Sequence, residues 1–208
     1  MSRELILRHP DIRQFTTVWM DSLRGGESML VNTNKLIRFY DGATGLKTGS
    51  TGSAGYCLSA TAEKNGMELI AVVLKGKTSD ERFSDAKSLL NYGFSTWSLV
   101  TVTPDEVLPP VPVTLGVRGT VQPVLTSENT LLVEKTLANG LTKEVALAES
   151  VAAPVYAGDT LGQLTVRDAA GNTVAELPIL AGEDVGHVTF VQMLGRCLAR
   201  GFCMGPQS

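Results

Sequence analysis

Histidine is almost missing from these 208 residues, which hold only His9 and His187. That leaves little material for a histidine-built metal site or for a serine–histidine–aspartate relay. Acid–base chemistry would have to lean on lysine, carboxylates or tyrosine. A basic excess is also missing: 18 basic against 21 acidic side chains give a net charge of −3. With no basic stripe either, a nucleic-acid partner is not expected. The three cysteines, Cys57, Cys197 and Cys203, form no Cys-x-x-Cys pair. This argues against a zinc ribbon or a thioredoxin-type site. Cys57 reads as a small strand residue; Cys197 and Cys203 are open between a disulfide and two free thiols. No apolar run is long enough to span a bilayer. The segment Met1–Pro10 has a short, charge-interrupted apolar run, unlike a signal peptide. By these absences alone the chain reads as cytoplasmic.

What is present is a core-forming composition, 43% hydrophobic and 19% charged, which excludes a disordered chain. It is uneven. Residues 1–97 carry 12 basic and 10 acidic side chains; residues 98–208 carry 6 and 11. Nine of the twelve aromatics lie in the first part. A domain boundary is therefore expected near Trp97.

Residues 2–9 read as the last turns of a helix stopped by Pro10, residues 11–23 as a mixed, partly helical segment, and Arg24-Gly25-Gly26-Glu27 as a turn. Leu46 to Leu74 reads as a meander of strands. Asn65-Gly66 between two apolar runs predicts a tight hairpin, because both residues tolerate positive φ. The unbroken run Leu69–Leu74 suggests a strand buried on both faces. Thr78-x-x-Glu81 is a capping box, opening a helix with Phe83, Ala86, Leu90 and Phe94 at near-helical spacing and an end near Tyr92-Gly93. After Trp97, short Val/Leu/Thr runs alternate with turns such as Pro109-Pro110, Asn139-Gly140 and Gly158-Asp159. That spacing predicts a small all-β sandwich or barrel. From Val185 on, Val188, Val191, Leu194 and Leu198 form one stripe, with Arg196 and Arg200 on the other side. Either an interfacial membrane helix or a helix packed on a neighbouring domain fits.

The segment Gly45-Leu46-Lys47-Thr48-Gly49-Ser50-Thr51 carries the chemistry. Lys-Thr-Gly is one element of the penicillin-binding protein and serine β-lactamase signature, weak as a lone tripeptide. Its context is informative: Val31-Asn32-Thr33-Asn34-Lys35-Leu36 before it, Ala54-Gly55-Tyr56-Cys57-Leu58 after it, then the hairpin and Arg82 opening the helix. With Ala153-Pro154-Val155 and Gly158-Asp159-x-Leu161-Gly162 in the β-rich half, nearly the whole chain resembles the serine D-alanyl-D-alanine carboxypeptidases, the low-molecular-weight penicillin-binding proteins.

The resemblance implies an α+β fold. Residues 1–97 would be part of a β-lactamase/transpeptidase-like catalytic domain, antiparallel strands plus a helix. Residues 98–184 would be a small all-β, sandwich-like domain and residues 185–208 an amphipathic tail. The implied substrate is a peptidoglycan stem peptide ending in D-Ala-D-Ala, cut through an acyl-enzyme, with β-lactams as ligands of the full-length family and no cofactor or metal. Lys47 would set a positive charge where an anionic peptide docks, and Thr48 would offer its hydroxyl to the terminal carboxylate. Gly49 would let the substrate lie close to the strand, and the Ser50 N–H would supply half of an oxyanion hole. Arg82 falls where the family places an arginine near that carboxylate; its plainer reading is a helix-start surface charge.

The family's nucleophile lies in Ser-x-x-Lys, with a second triplet Ser-x-Asn, both preceding Lys-Thr-Gly. Here the only matches, Ser84-Asp85-Ala86-Lys87 and Ser127-Glu128-Asn129, follow it and read as coincidental. The chain is thus expected to be the C-terminal portion of such an enzyme, inactive by itself. Nucleophile, signal peptide and the first sheet strands would be upstream, in a protein that is extracytoplasmic and membrane-associated. Met67–Leu74 would then expose an apolar edge, promoting association. Two other readings compete. One is a binding module acting through the β domain and tail, with the triplet a relic. The other is a β-lactamase-type relative, against which the second domain argues.

Overall fold

The computed structural model describes residues 1–195. Arg196, Cys197, Leu198, Arg200 and Cys203, and with them the disulfide question and the end of the apolar stripe, lie outside the described residues. The chain divides into two units: Met1–Leu99 with Leu132–Thr136, and Val100–Leu131 with the described residues from Leu137 on.

In the first unit α1 (Ser2–Arg8) and α2 (Arg13–Thr16) lead into a two-stranded hairpin, β1 (Met20–Leu23) and β2 (Ser28–Val31). A short helix α3 (Leu36–Phe39) precedes the meander β3 (Ala43–Thr51), β4 (Gly55–Lys64) and β5 (Met67–Gly76), and α4 (Ser79–Thr96) follows. The sheet runs β3-β4-β5, antiparallel throughout. Asn65 and Gly66 turn β4 into β5 at φ 52° and 76°, the two positive values that a type I′ turn requires. Register sets Leu58 opposite Val73, Ala60 opposite Ala71 and Ala62 opposite Leu69. This small-residue face packs with Phe83, Ala86 and Leu90 of α4 as the core.

The Thr78 hydroxyl accepts the Glu81 N–H at 3.1 Å, a cap that contributes about 1 kcal/mol. The Glu81 carboxylate reaches one residue further back than a capping box requires, to the Lys77 N–H at 2.6 Å. The helix runs to Thr96, past the expected end at Gly93. Gly93 is there for packing: a Cβ on it would lie 2.5 Å from Leu69 Cδ1. The segment read as mixed is helical only to Thr16 and then becomes β1. The turn Arg24–Glu27 joins β1 to β2. Both strands are largely exposed on both faces, so they carry no alternation for a sequence reading to find.

The second face of the sheet corrects another expectation. Ala71 and Val73 are buried, but Val72 is 55% and Leu74 72% exposed, so β5 is buried on one face only. On the far face the short α1 buries Ile6 and joins Ser2 Oγ to Ser59 Oγ at 2.9 Å. Arg13 covers the hairpin end, donating to Glu63 (2.8 Å) and Glu68 (2.6 Å). Those carboxylates are opposite each other across β4 and β5, where like charges repel. Among the described residues β5 has no second strand neighbour. We expect the 208-residue chain to self-associate through this edge and face. Sedimentation equilibrium should show a concentration-dependent mass that the double substitution Val72→Lys/Leu74→Lys reduces. A monodisperse, cooperatively melting wild-type monomer would overturn it.

Strands β6 (Trp97–Thr101), β7 (Val111–Thr114), β8 (Thr120–Val121), β9 (Pro123–Leu125), β10 (Thr130–Glu134), β11 (Thr142–Leu147), β12 (Val151–Ala152), β13 (Thr160–Arg167) and β14 (Thr173–Ala181) follow. In the second unit they form a four-stranded sheet, β11-β13-β14-β9, and a three-stranded sheet, β12-β7-β8. Val111, Val113 and Val121 of the small sheet pack with Leu161 and Ala181 of the large one. That is the sandwich arrangement expected from the spacing of short strands. The segment Ala153–Asp159 before β13 is a turn held by carboxylates: Asp159 accepts the Tyr156 N–H and Asp184 the Ala157 N–H, each at 2.7 Å.

Candidate active site

β3 lies at an edge of its sheet, paired only with β4 among the described residues. Lys47 is opposite Ser59, Thr48 opposite Leu58, Gly49 opposite Cys57 and Ser50 opposite Tyr56. Alternation therefore sends Lys47 and Gly49 to one face, and Thr48 to the face that α4 covers. The Lys47 ammonium donates to the Thr48 carbonyl at 2.6 Å and enters no ion pair among the described residues. A Cβ placed on Gly49 would meet no atom within 4 Å, so the strand has open space beside it. A free strand edge, an unpaired cation and a gap beside glycine together suit an extended anionic peptide lying along β3.

Thr48 is only 8% exposed. Its hydroxyl lies 2.7 Å from the hydroxyl of Thr33, an exposed residue just before α3. The neighbouring asparagines fix this approach. Buried Asn34 donates its amide to the Gly45 carbonyl at 2.9 Å and accepts the Leu36 N–H at 3.2 Å. Asn32 accepts the Asn34 N–H at 2.9 Å and donates to the Val18 carbonyl at 2.9 Å. A buried side-chain amide persists only when so bonded. The sequence of the run Val31–Leu36 by itself assigns it no task. Its signal was three adjacent residues of the kind that bond to nearby main chain.

Arg82 is 7% exposed. Its guanidinium donates to the carbonyls of Gly49 and Cys57, both at 3.3 Å, and to Ser79 Oγ at 3.3 Å. It lies 4.8 Å from the Phe83 ring centroid and 5.4 Å from that of Tyr56. A cation in the first turns of a helix opposes the macrodipole, so its placement reflects these carbonyls. It ties β3 to β4 next to Ser50.

Ser84 and Lys87 are exposed on α4, while Ala86 between them is fully buried against the sheet. The one Ser-x-x-Lys of the chain thus faces away from β3. Asn129, of the one Ser-x-Asn, is in the second unit, where its amide donates to the Val102 carbonyl at 3.0 Å. Among the described residues no group of three His, Cys, Asp or Glu side chains is placed to hold a metal ion.

Comparison with known proteins identifies relatives of both parts of the chain. Residues 1–78 match the family described as D-alanyl-D-alanine carboxypeptidase, and residues 100–187 match the C-terminal domain of penicillin-binding protein 5. The D-alanyl-D-alanine carboxypeptidase DacF of Bacillus subtilis is 34% identical over 203 residues, covering 95% of this chain and 52% of the relative. DacC of Escherichia coli is 30% identical over 143 residues, 68% of this chain and 36% of the relative. The chain thus spans about half the length or less of these curated relatives. Penicillin binding protein 5 from Haemophilus influenzae shares the fold at a TM-score of 0.71 and 23% identity, covering 89% of this chain and 54% of that one. With Lys-Thr-Gly on an edge strand ahead of a hairpin and helix, and a β sandwich behind, the chain belongs to the D-alanyl-D-alanine carboxypeptidase family.

Proposed function

We propose that this chain supplies the Lys-Thr-Gly wall of a serine-type D-Ala-D-Ala carboxypeptidase that trims the stem peptides of peptidoglycan. The observation that carries it is the edge position of β3, with open space at Gly49 and a Lys47 that has no carboxylate partner among the described residues and bonds the Thr48 carbonyl. Lys47 attracts and orients the anionic peptide, Thr48 donates its hydroxyl to the terminal carboxylate, and the Ser50 N–H holds the developing oxyanion. The acyl-enzyme forms on a serine other than Ser84 or Ser50, and β-lactams enter as substrate mimics of the complete site. Arg82 serves the carboxylate indirectly, by fixing the strand. A place at a membrane surface is supported by the segment 190–195, helical, with Phe190 80%, Val191 77% and Leu194 50% exposed; a location outside the cytoplasm is implied by the family resemblance alone. Such unburied apolar side chains suit a lipid interface. No helix among the described residues is long and apolar enough to cross a membrane.

Intact-mass spectrometry after incubation with benzylpenicillin tests the assignment of roles. The chain alone should remain unmodified, and an adduct mapped to Ser84 or Ser50 would overturn it.

A further inference from the structure

Resting on the proposed reading of Thr48, we infer that Thr33 is a positioning residue for the substrate carboxylate, acting by donating its hydroxyl proton to Thr48. The two oxygens are 2.7 Å apart, so one proton lies between them. Each threonine hydroxyl has a single proton to give. An ionised carboxylate only accepts, so Thr48 must spend its proton on the substrate. The proton in the Thr33–Thr48 bond must then come from Thr33. The bond fixes the Thr48 χ1 rotamer and leaves its proton aimed outward.

Thr48 is 8% exposed and Thr33 is exposed, so the Thr33 side chain can be replaced without opening the core. The Thr33 backbone is held independently of that bond, by Asn34 on the Gly45 carbonyl and Asn32 on the Val18 carbonyl. Replacing the Thr33 hydroxyl therefore removes the hydrogen bond without freeing the loop. Serine preserves the donor, and valine keeps the shape without it.

Two readouts on the isotope-labelled 208-residue chain test this. The first needs no ligand: the three-bond couplings from the Thr48 γ-methyl carbon to its backbone nitrogen and carbonyl. They should report one rotamer in the wild type and in Thr33→Ser, and averaging in Thr33→Val. A single unchanged rotamer in Thr33→Val would overturn the inference. The second is titration with a diacylated Lys-D-Ala-D-Ala peptide, followed by backbone amide shifts of residues 47–50. Thr33→Val should weaken binding about tenfold, with Thr33→Ser close to wild type. Equal affinity for wild type and Thr33→Val would also overturn it. If the wild type shows no shifts at all while its Thr48 rotamer still depends on Thr33, the positioning role stands and the substrate reading of this chain fails.

Discussion

Arg82→Ala should destabilise the first unit by about 2–3 kcal/mol while leaving the second unit unchanged. The guanidinium is 7% exposed and gives hydrogen bonds to the Gly49 and Cys57 carbonyls. Hydrogen bonds to a charged group contribute about 1.5–3 kcal/mol each, and the stacking on Tyr56 and Phe83 adds roughly 0.5–2 kcal/mol. Against this stands the cost of keeping a cation out of water: among the described residues it has no carboxylate in an ion pair, and its buried Nε has no hydrogen-bond partner. The balance favours arginine because two strand carbonyls would lose their donor together. Amide exchange is the suitable measurement, since each unit opens on its own free energy. Protection should fall in β3, β4 and α4 and persist in β13 and β14. Arg82→Lys restores the charge without the planar fork and should recover less than half of the loss. An Arg82→Ala chain with full protection around Gly49 would contradict the strand-fixing role.

Gly162→Ala should strike the other unit, by about 3 kcal/mol. Gly162 is opposite Leu147 across β11 and β13. A Cβ there would fall 2.2 Å from the Ala146 carbonyl oxygen and 2.9 Å from Leu147 Cα. Both obstacles are backbone, so no side-chain rotation relieves them, and β11 must move off β13. Leu147 is the side chain that packs against both cores of this unit, so the shift spreads to β7 and β14. Limited proteolysis should cut residues 137–187 early in Gly162→Ala and leave residues 1–99 at the wild-type rate. Wild-type resistance of the β unit would show that β11 tolerates the displacement. Together the two variants examine whether the units are independent, since each should lower one transition only.

Much of the fold could be read before any coordinates, because the signals were local. Asn65-Gly66 demands two positive φ angles, Thr78 and Glu81 mark a helix start, and alternating short strands mark the β unit. Lys47, Thr48, Gly49 and Ser50 stood out through their order and flanks, and they share the edge strand. What escaped was long-range. Gly93 looks like a terminator until Leu69 is seen against it. The run Leu69–Leu74 is apolar on both sides, but only the side facing α4 is fully covered, and Val72 and Leu74 stay exposed on the other. Thr33, Asn32 and Asn34 look like an ordinary polar turn; their task appears only once the Gly45 carbonyl and Thr48 hydroxyl are beside them. Arg82 could be read as a carboxylate partner or as a surface charge; its observed partners are the main-chain carbonyls of Gly49 and Cys57, which lie far from it in the sequence.

We propose above that β3 is the substrate-docking strand and that the acylated serine is neither Ser50 nor Ser84. Fusing a family segment that carries Ser-x-x-Lys and Ser-x-Asn ahead of Met1, and measuring the rate of acylation by a fluorescent penicillin, tests it most directly. The fused protein should be labelled on the added serine, the chain alone should not, and Lys47→Ala in the fused protein should slow labelling by about 100-fold with the fold intact. Labelling of the fused protein at an unchanged rate after Lys47→Ala would contradict the claim.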